Sequence, residues 1–205
     1  MRKLNKGEPL TVFTECIRDN KPANWEAFSK DHQTISQEVR LYILCEEQDS
    51  LCGYTELPVD DPFDCHIDHF RKKSQFPTLT FDWNNFIVAT MDDDFGARYK
   101  DAKSGITAAD YALILNPTID QAESYFEYSE LGEILPKPKG LTLAQKALAQ
   151  KTIDVFNLKA KALRERRYGL IKMIEAYGDL PADEIKACLE NAGFKSLIEQ
   201  YTQGK

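Results

Sequence analysis

Two short segments constrain this chain more than any other feature. Residues 65–71 read Cys-His-Ile-Asp-His-Phe-Arg, and Phe81-Asp82-Trp83-Asn84-Asn85-Phe86 begins ten positions later. Residues 65–71 alternate as a strand, with Cys65, Ile67 and His69 on one face and His66, Asp68 and Phe70 on the other. Residues 76–90 run from an extended piece into an apolar segment. An asparagine at 84 or 85 suits the cap of a helix beginning there, and Trp83 suits a core. Asp68 and His69 start on opposite faces. A bulge or the strand end must bring them together if they share one site.

Residue chemistry suggests what such a site would do. Histidine titrates near neutral pH and can take a proton from water. A hard divalent cation wants oxygen ligands such as Asp68. Base and cation together are the minimum equipment for metal-assisted phosphodiester hydrolysis. His69 is therefore the candidate general base and Asp68 the candidate metal ligand, with His66 a possible second ligand. Asp92, Asp93 and Asp94 read as a solvated turn, from which Asp94 could complete the cation site. Arg71, Lys72 and Lys73 abut the site and are candidates for phosphate contact. They are preferred over Lys161, Arg164, Tyr168 and Lys172, a stripe on a later helix that reads equally as a solvated face.

The rest of the chain frames these segments. Its 205 residues, 42% hydrophobic and 29% charged, make one sizeable domain or two small ones. A net charge of −7 disfavours a free-standing nucleic-acid binder, so such contact needs local basic surface or a partner. Five irregularly spaced cysteines argue against a disulfide framework. No apolar run has the length of a membrane span and Met1–Lys6 does not open a signal peptide, so a cytoplasmic protein is expected. Cys52, Cys65, His66 and His69 lack the paired Cys-x-x-Cys spacing of a structural zinc site, which is not expected.

Residues 10–48 look helical, with Asp31 the expected cap of the second helix and nothing that suggests catalysis. Residues 51–56 read as a short strand and 57–64 as a loop. Residues 116–140 form an irregular linker, and Thr142–Gln145 is a capping box. A helical region runs from there to about Tyr177, broken near Asn157. Residues 182–201 make two short helices parted by Asn191-Ala192-Gly193.

Taken together, His66–Ser74 and Phe81–Phe86 resemble the HNH (ββα-metal) endonucleases. Cys52–Glu56, Phe95–Asp101, Asn116-Pro117 with Asp120, and Thr152–Leu158 look like the nuclease subunit of Septu antiphage systems, which is also found beside retrons. The resemblance covers roughly residues 50–170. It implies an α+β, mostly helical fold: a 50–115 ββα-metal core, a 1–49 helical segment before it, and a 116–205 linker and helical region after it. It implies His69 as general base, Asp68 as metal ligand, Asn85 as the motif asparagine, and the last motif position near Asp94. Lys100 and Glu56, inside the matching motifs, become phosphate-contact and further site candidates. Mg²⁺ or Mn²⁺ is the implied cofactor. Only Cys52 remains of a four-cysteine zinc brace, with Thr55, Thr90 and Asp93 near the other places. The implied partners are an ABC/SMC-like ATPase subunit, DNA or transfer RNA as substrate, and a retron reverse transcriptase with its RNA–DNA. Two other readings stand beside this one, an inactive interaction subunit with the same fold and a zinc-binding adaptor.

Overall fold

The computed structural model describes residues 1–203. Three helices open the chain: α1 (Thr11–Asn20), α2 (Trp25–Asp31) and α3 (Gln33–Tyr42). Asn24 caps α2, its side chain accepting from the Ala27 amide at 2.8 Å, while α3, the helix Asp31 is expected to cap, has His32 at its cap position and no side-chain cap bond. Asp31 instead ends α2, because His32 turns the chain directly into α3. A wide π turn over Ile43–Glu47 follows α3 and brings Glu47 and Gln48 into the interior.

Residues 51–56 are a turn, not a strand; Leu51 forms only an isolated bridge with Pro58. Strand β1 is Cys65–His69, and it pairs antiparallel with β2, Phe86–Thr90, in unbroken register from Cys65↔Thr90 to His69↔Phe86. The apolar segment after Asn85 is thus a strand rather than a helix. Asp82 caps only a single 3₁₀ turn at Trp83–Asn85. The branched and aromatic residues Phe86, Ile87 and Val88 favour that outcome, since they pack well on a pleated surface. Helix α4 (Gly96–Ala102) packs back on β2. Gln48 finishes the outer edge of β2: its amide donates to the Val88 carbonyl and accepts from the Val88 N–H, both at 2.8 Å.

A small pair, β3 (Phe126–Tyr128) with β4 (Ile134–Pro136), interrupts the linker. Helices α5 (Leu143–Val155) and α6 (Lys161–Ala176) follow, then α7 (Ala182–Cys188) and α8 (Lys195–Thr202). Thr142 and Gln145 form the expected capping box, Asn157 turns the chain between α5 and α6 with φ 44°, and Gly193 lies between α7 and α8. The fold is α+β and mostly helical. Among the described residues no helix is long and apolar enough to cross a membrane.

Two apolar clusters hold these parts together. One joins Met1, Tyr54, Phe70, Ile87, Phe156, Ile171 and Leu197, so it runs from one end of the described chain to the other. The second packs α1–α3 against the opposite face of the strand pair through Phe13, Phe28, Trp83 and Phe86. Gly53 is required where the turn crosses β2, because a Cβ there would stand 2.4 Å from the Ile87 side chain.

Glu56 is a fastener of the first cluster, not part of a reaction site. Its buried carboxylate pairs with the Met1 amino group at 2.7 Å and accepts from the Ser196 amide and hydroxyl at the start of α8. Burial alone would raise its pKa, but the amino group and the Ser196 bonds outweigh burial and hold it below 4.5. Removing one partner of a buried ion pair costs about 3–5 kcal/mol. Glu56→Gln is therefore expected to lower the melting temperature by roughly 6–20 °C. The ionised carboxylate stabilises the fold above its ordinary pKa of 4.5, and that contribution is lost as pH falls through the lower folded value. The gap between wild type and variant should therefore be full at pH 7 and narrow in acid; an equal gap at pH 7 and pH 3 would contradict the assignment.

Candidate active site

Asp68 and His69 close strand β1, and no bulge is needed to bring them together. They point to opposite faces, yet both line one small cavity of about 230 Å³ at the strand end, with His66, Lys72, Lys73 and Asp101. The strand end alone solves the problem posed by alternation.

The His69 ring is held on three sides. Trp25 of α2 meets it edge-on at 4.9 Å, and Phe86 of β2 does the same at 5.2 Å. Nε2 lies 2.9 Å from the Thr80 carbonyl oxygen. A carbonyl can only accept, so Nε2 carries the proton and Nδ1 keeps its lone pair. Among the described residues Nδ1 has no hydrogen-bond partner. Burial lowers the His69 pKa from 6.5, outweighing the Thr80 hydrogen bond and the Asp68 charge that would raise it. The ring is thus neutral at pH 7 and presents a fixed basic nitrogen. The opening helices contribute directly here, since α2 supplies one wall of the imidazole.

Thr80 is carried by the loop between β1 and β2, and Asn85 closes that loop. Its Oδ1 accepts from the Arg71 amide at 2.8 Å, while its Nδ2 donates to the carbonyls of Arg71 and Leu79 at 3.0 and 3.1 Å. Asn85 therefore positions His69 through Thr80 and does not face the cavity.

On the other face, the Asp68 Oδ2 accepts from the Tyr54 hydroxyl at 2.5 Å and lies 2.9 Å from the Lys100 ammonium. Its Oδ1 has no partner among the described residues. Lys100 is fully buried and also donates to the carbonyls of His69 and Phe70 at 2.9 and 3.1 Å. It therefore cannot serve as a surface contact for phosphate, as its place in the motif had suggested. Burial would lower its pKa, but Asp68 and Asp101 raise it, so the ammonium is charged.

Asp101, the next residue on α4, is a member of the site that the sequence did not single out; its one signal was adjacency to Lys100 in Phe95–Asp101. Its Oδ1 stands 3.1 Å from the ammonium but off the hydrogen-bonding angle, so the ion pair leaves that buried oxygen without a hydrogen bond. Burial and the Asp68 charge raise the Asp101 pKa, and its share of Lys100 is too small to reverse this.

The remaining candidates scatter. Asp94 is on an exposed turn, 80% accessible, paired with Lys103 at 3.0 Å, and does not line the cavity. The turn faces water because Asp92 accepts the Asp94 amide and ties it locally. Arg71 is exposed over the Phe76 ring at 5.4 Å. Lys72 donates to the Asp101 carbonyl at 2.8 Å, and Lys73 pairs with Glu26 at 2.7 Å. At the places of the implied zinc brace, Thr90 donates to the Cys52 sulfur at 3.7 Å.

A divalent cation can be set against these groups. Among the described residues no group of three or more His, Cys, Asp or Glu side chains is placed to hold a metal unaided. Mg²⁺, however, keeps several waters and takes one or two carboxylates plus substrate phosphates. Of the side chains lining the cavity, Asp68 offers an Oδ1 with no partner among the described residues, while Asp101 Oδ1 stands 3.1 Å from the Lys100 ammonium, so the protein supplies one or two oxygens of such a set and not a complete site.

No protein-family model matches the chain. Along most of its length, however, it resembles a curated protein of Escherichia coli named "Retron Ec83 putative HNH endonuclease": 23% identity over 208 residues, spanning 83% of this chain and 79% of that one. This chain is related to a retron HNH protein. The resemblance to HNH endonucleases thus extends over most of the chain.

Proposed function

We propose that this chain is a metal-dependent HNH endonuclease effector of an antiphage defence complex of Septu or retron type. The observation that carries the reading is His69: a neutral imidazole, oriented by a carbonyl on Nε2, with Nδ1 free, at a cavity that Asp68 also lines. The strand pair and α4 are read as the ββα-metal core. The 1–49 helices are read as its cover and 116–205 as its outer support.

In this mechanism His69 Nδ1 takes the proton from the water that attacks the phosphodiester. Thr80 holds the ring as its charge develops, and its carbonyl stabilises the imidazolium. Tyr54 and Lys100 fix the Asp68 carboxylate through Oδ2, leaving Oδ1 to face the cavity. Asp68, with a second donor from Asp101 or His66, would hold a hydrated Mg²⁺ or Mn²⁺ completed by water and substrate phosphate, and that cation would supply electrostatic stabilisation of the charge on the phosphoryl and leaving oxygens. Lys73 lines the cavity and exposed Arg71 follows β1 closely in sequence, so both are assigned to phosphate steering, while the acidic chain as a whole leaves much of that grip to an ABC/SMC-like ATPase partner. A cytoplasmic complex with that partner, and with a retron reverse transcriptase and its RNA–DNA, completes the reading.

One observation favours an inactive interaction subunit instead: Lys100 already neutralises Asp68. A single assay separates the two. The chain, alone and co-expressed with the ATPase subunit, is offered plasmid DNA and total transfer RNA in Mg²⁺ or Mn²⁺, with and without chelator. Cutting that chelator abolishes is expected; no cutting of either substrate by folded, partner-bound protein would leave the interaction subunit.

A further inference from the structure

The reaction cavity does not end at β1. A larger groove of about 630 Å³ runs between α2–α3 and the same strand, and His66 and Ile67 line both. We infer that this groove is the track for a single strand of nucleic acid, carrying the chain on one side of the cleaved phosphodiester. The inference rests on the nuclease reading above for its direction, but its own evidence is the groove.

The first part of that evidence is unmet hydrogen bonding. Four buried side-chain polar atoms lack a hydrogen-bond partner among the described residues, and three belong to this continuous depression: Arg40 Nε in the groove, His66 Nδ1 at the junction and Asp101 Oδ1 in the cavity. Arg40 Nε is a donor and Asp101 Oδ1 an acceptor that meets only the Lys100 ammonium; buried polar atoms without a hydrogen bond are costly, so a run of them along one surface points to a polar occupant. The second part is charge. Lys30 and Arg40 line the groove, where Glu26 is the one carboxylate among the described lining residues and is paired with Lys73 at the junction; Asp68 and Asp101 belong to the adjoining cavity. On a chain of net charge −7 this is a local basic stretch. The third part is the neutral lining. Ser29, Ser36 and Gln37 offer donors and acceptors suited to sugars and base edges.

Trp25 joins the groove to the chemistry. Its half-buried ring lines the groove and touches His69 at 4.9 Å, so a strand lying there passes directly to the base. Aromatic surface beside a basic groove is the usual equipment for binding single strands without sequence preference.

The test uses the full chain in chelator, so that nothing is cut, and fluorescein-labelled 12-nucleotide DNA and RNA single strands read by anisotropy. Lys30→Gln/Arg40→Gln is compared with Lys161→Gln/Arg164→Gln on α6. The groove variant should bind at least tenfold more weakly, and its log–log salt slope should fall by roughly 1.4, two contacts at about 0.7 each. The α6 variant should change less than twofold. Arg40 also donates to the Cys65 carbonyl at 3.3 Å, so Gln37→Glu, which places a negative charge in the groove without touching that bond, serves as the second variant and should weaken binding several-fold. Whichever strand the wild type prefers names DNA or RNA as the occupant. Equal affinity of wild type and folded groove variants, an equal loss in the α6 variant, or no binding of either strand by wild type would overturn the track. The nuclease reading fails differently: strands would bind in the groove, and cutting assays with metal and partner would stay silent.

Discussion

His69→Ala is expected to remain folded and to lose cutting by about 10²–10⁴-fold, the usual worth of a positioned general base. The ring touches Trp25 and Phe86 at its edges, so its loss opens space but strands no charge. The one hydrogen bond broken leaves the Thr80 carbonyl within a loop still closed by Asn85. Wild-type and variant melting curves should therefore lie within a few degrees, while cleavage rates diverge. The pH profile carries a second signature. Burial lowers the His69 pKa, so its basic form persists below pH 6.5. Wild-type rate should fall only when pH drops beneath that ordinary value, and any residual rate in the variant should lack this acid limb. Undiminished cutting by folded His69→Ala would remove His69 from the mechanism.

Lys100→Met is expected to act on the fold first and on the chemistry through it. The substitution keeps the stem but deletes the ammonium that neutralises Asp68 and Asp101 and that holds the His69 and Phe70 carbonyls. The buried Asp68 carboxylate would then lose its cation, with the half-buried Asp101 carboxylate close by. Breaking a buried pair from one side costs about 3–5 kcal/mol, or roughly 6–20 °C of melting temperature for a chain of this size. Lys100→Arg should recover part of that loss, limited by the larger guanidinium in a space with no exposure. Added Mg²⁺ should raise the melting temperature of Lys100→Met more than that of wild type, because the freed carboxylates gain an oxygen-seeking cation. A Lys100→Met protein as stable as wild type would refute the role given to this ammonium.

The pair proposed to react was legible because residue types carry it: an aspartate beside a histidine, followed by Trp-Asn-Asn, stands out without coordinates, and the structure places both at one cavity. The sequence showed the capping box at Thr142 and the break at Asn157 for the same reason, since caps are local chemistry. What it hid were contacts that exist only after folding. The Thr80 oxygen that orients His69 is a backbone atom, so no residue type announces it. Trp25 reads as one position in a helical stripe until α2 lies against β1. Lys100 looks like a surface cation in a charged motif, and only the burial of α4 turns it inward. Asp94 shows the reverse: a carboxylate at the motif's last place that the local turn at Asp92 keeps in water.

The Gln48 amide on the outer edge of β2 has a consequence for how the protein behaves among its neighbours. A two-stranded ribbon ordinarily leaves peptide groups open to any passing extended chain, a standing invitation to sticking and misassembly. Here a side chain mimics a third strand for one residue, at Val88, and the Gly53 amide donates to the same carbonyl at 3.0 Å. The β2 edge of the ribbon is thus satisfied at its middle within one molecule, and on that side a partner has to be chosen by side chains rather than recruited by bare backbone.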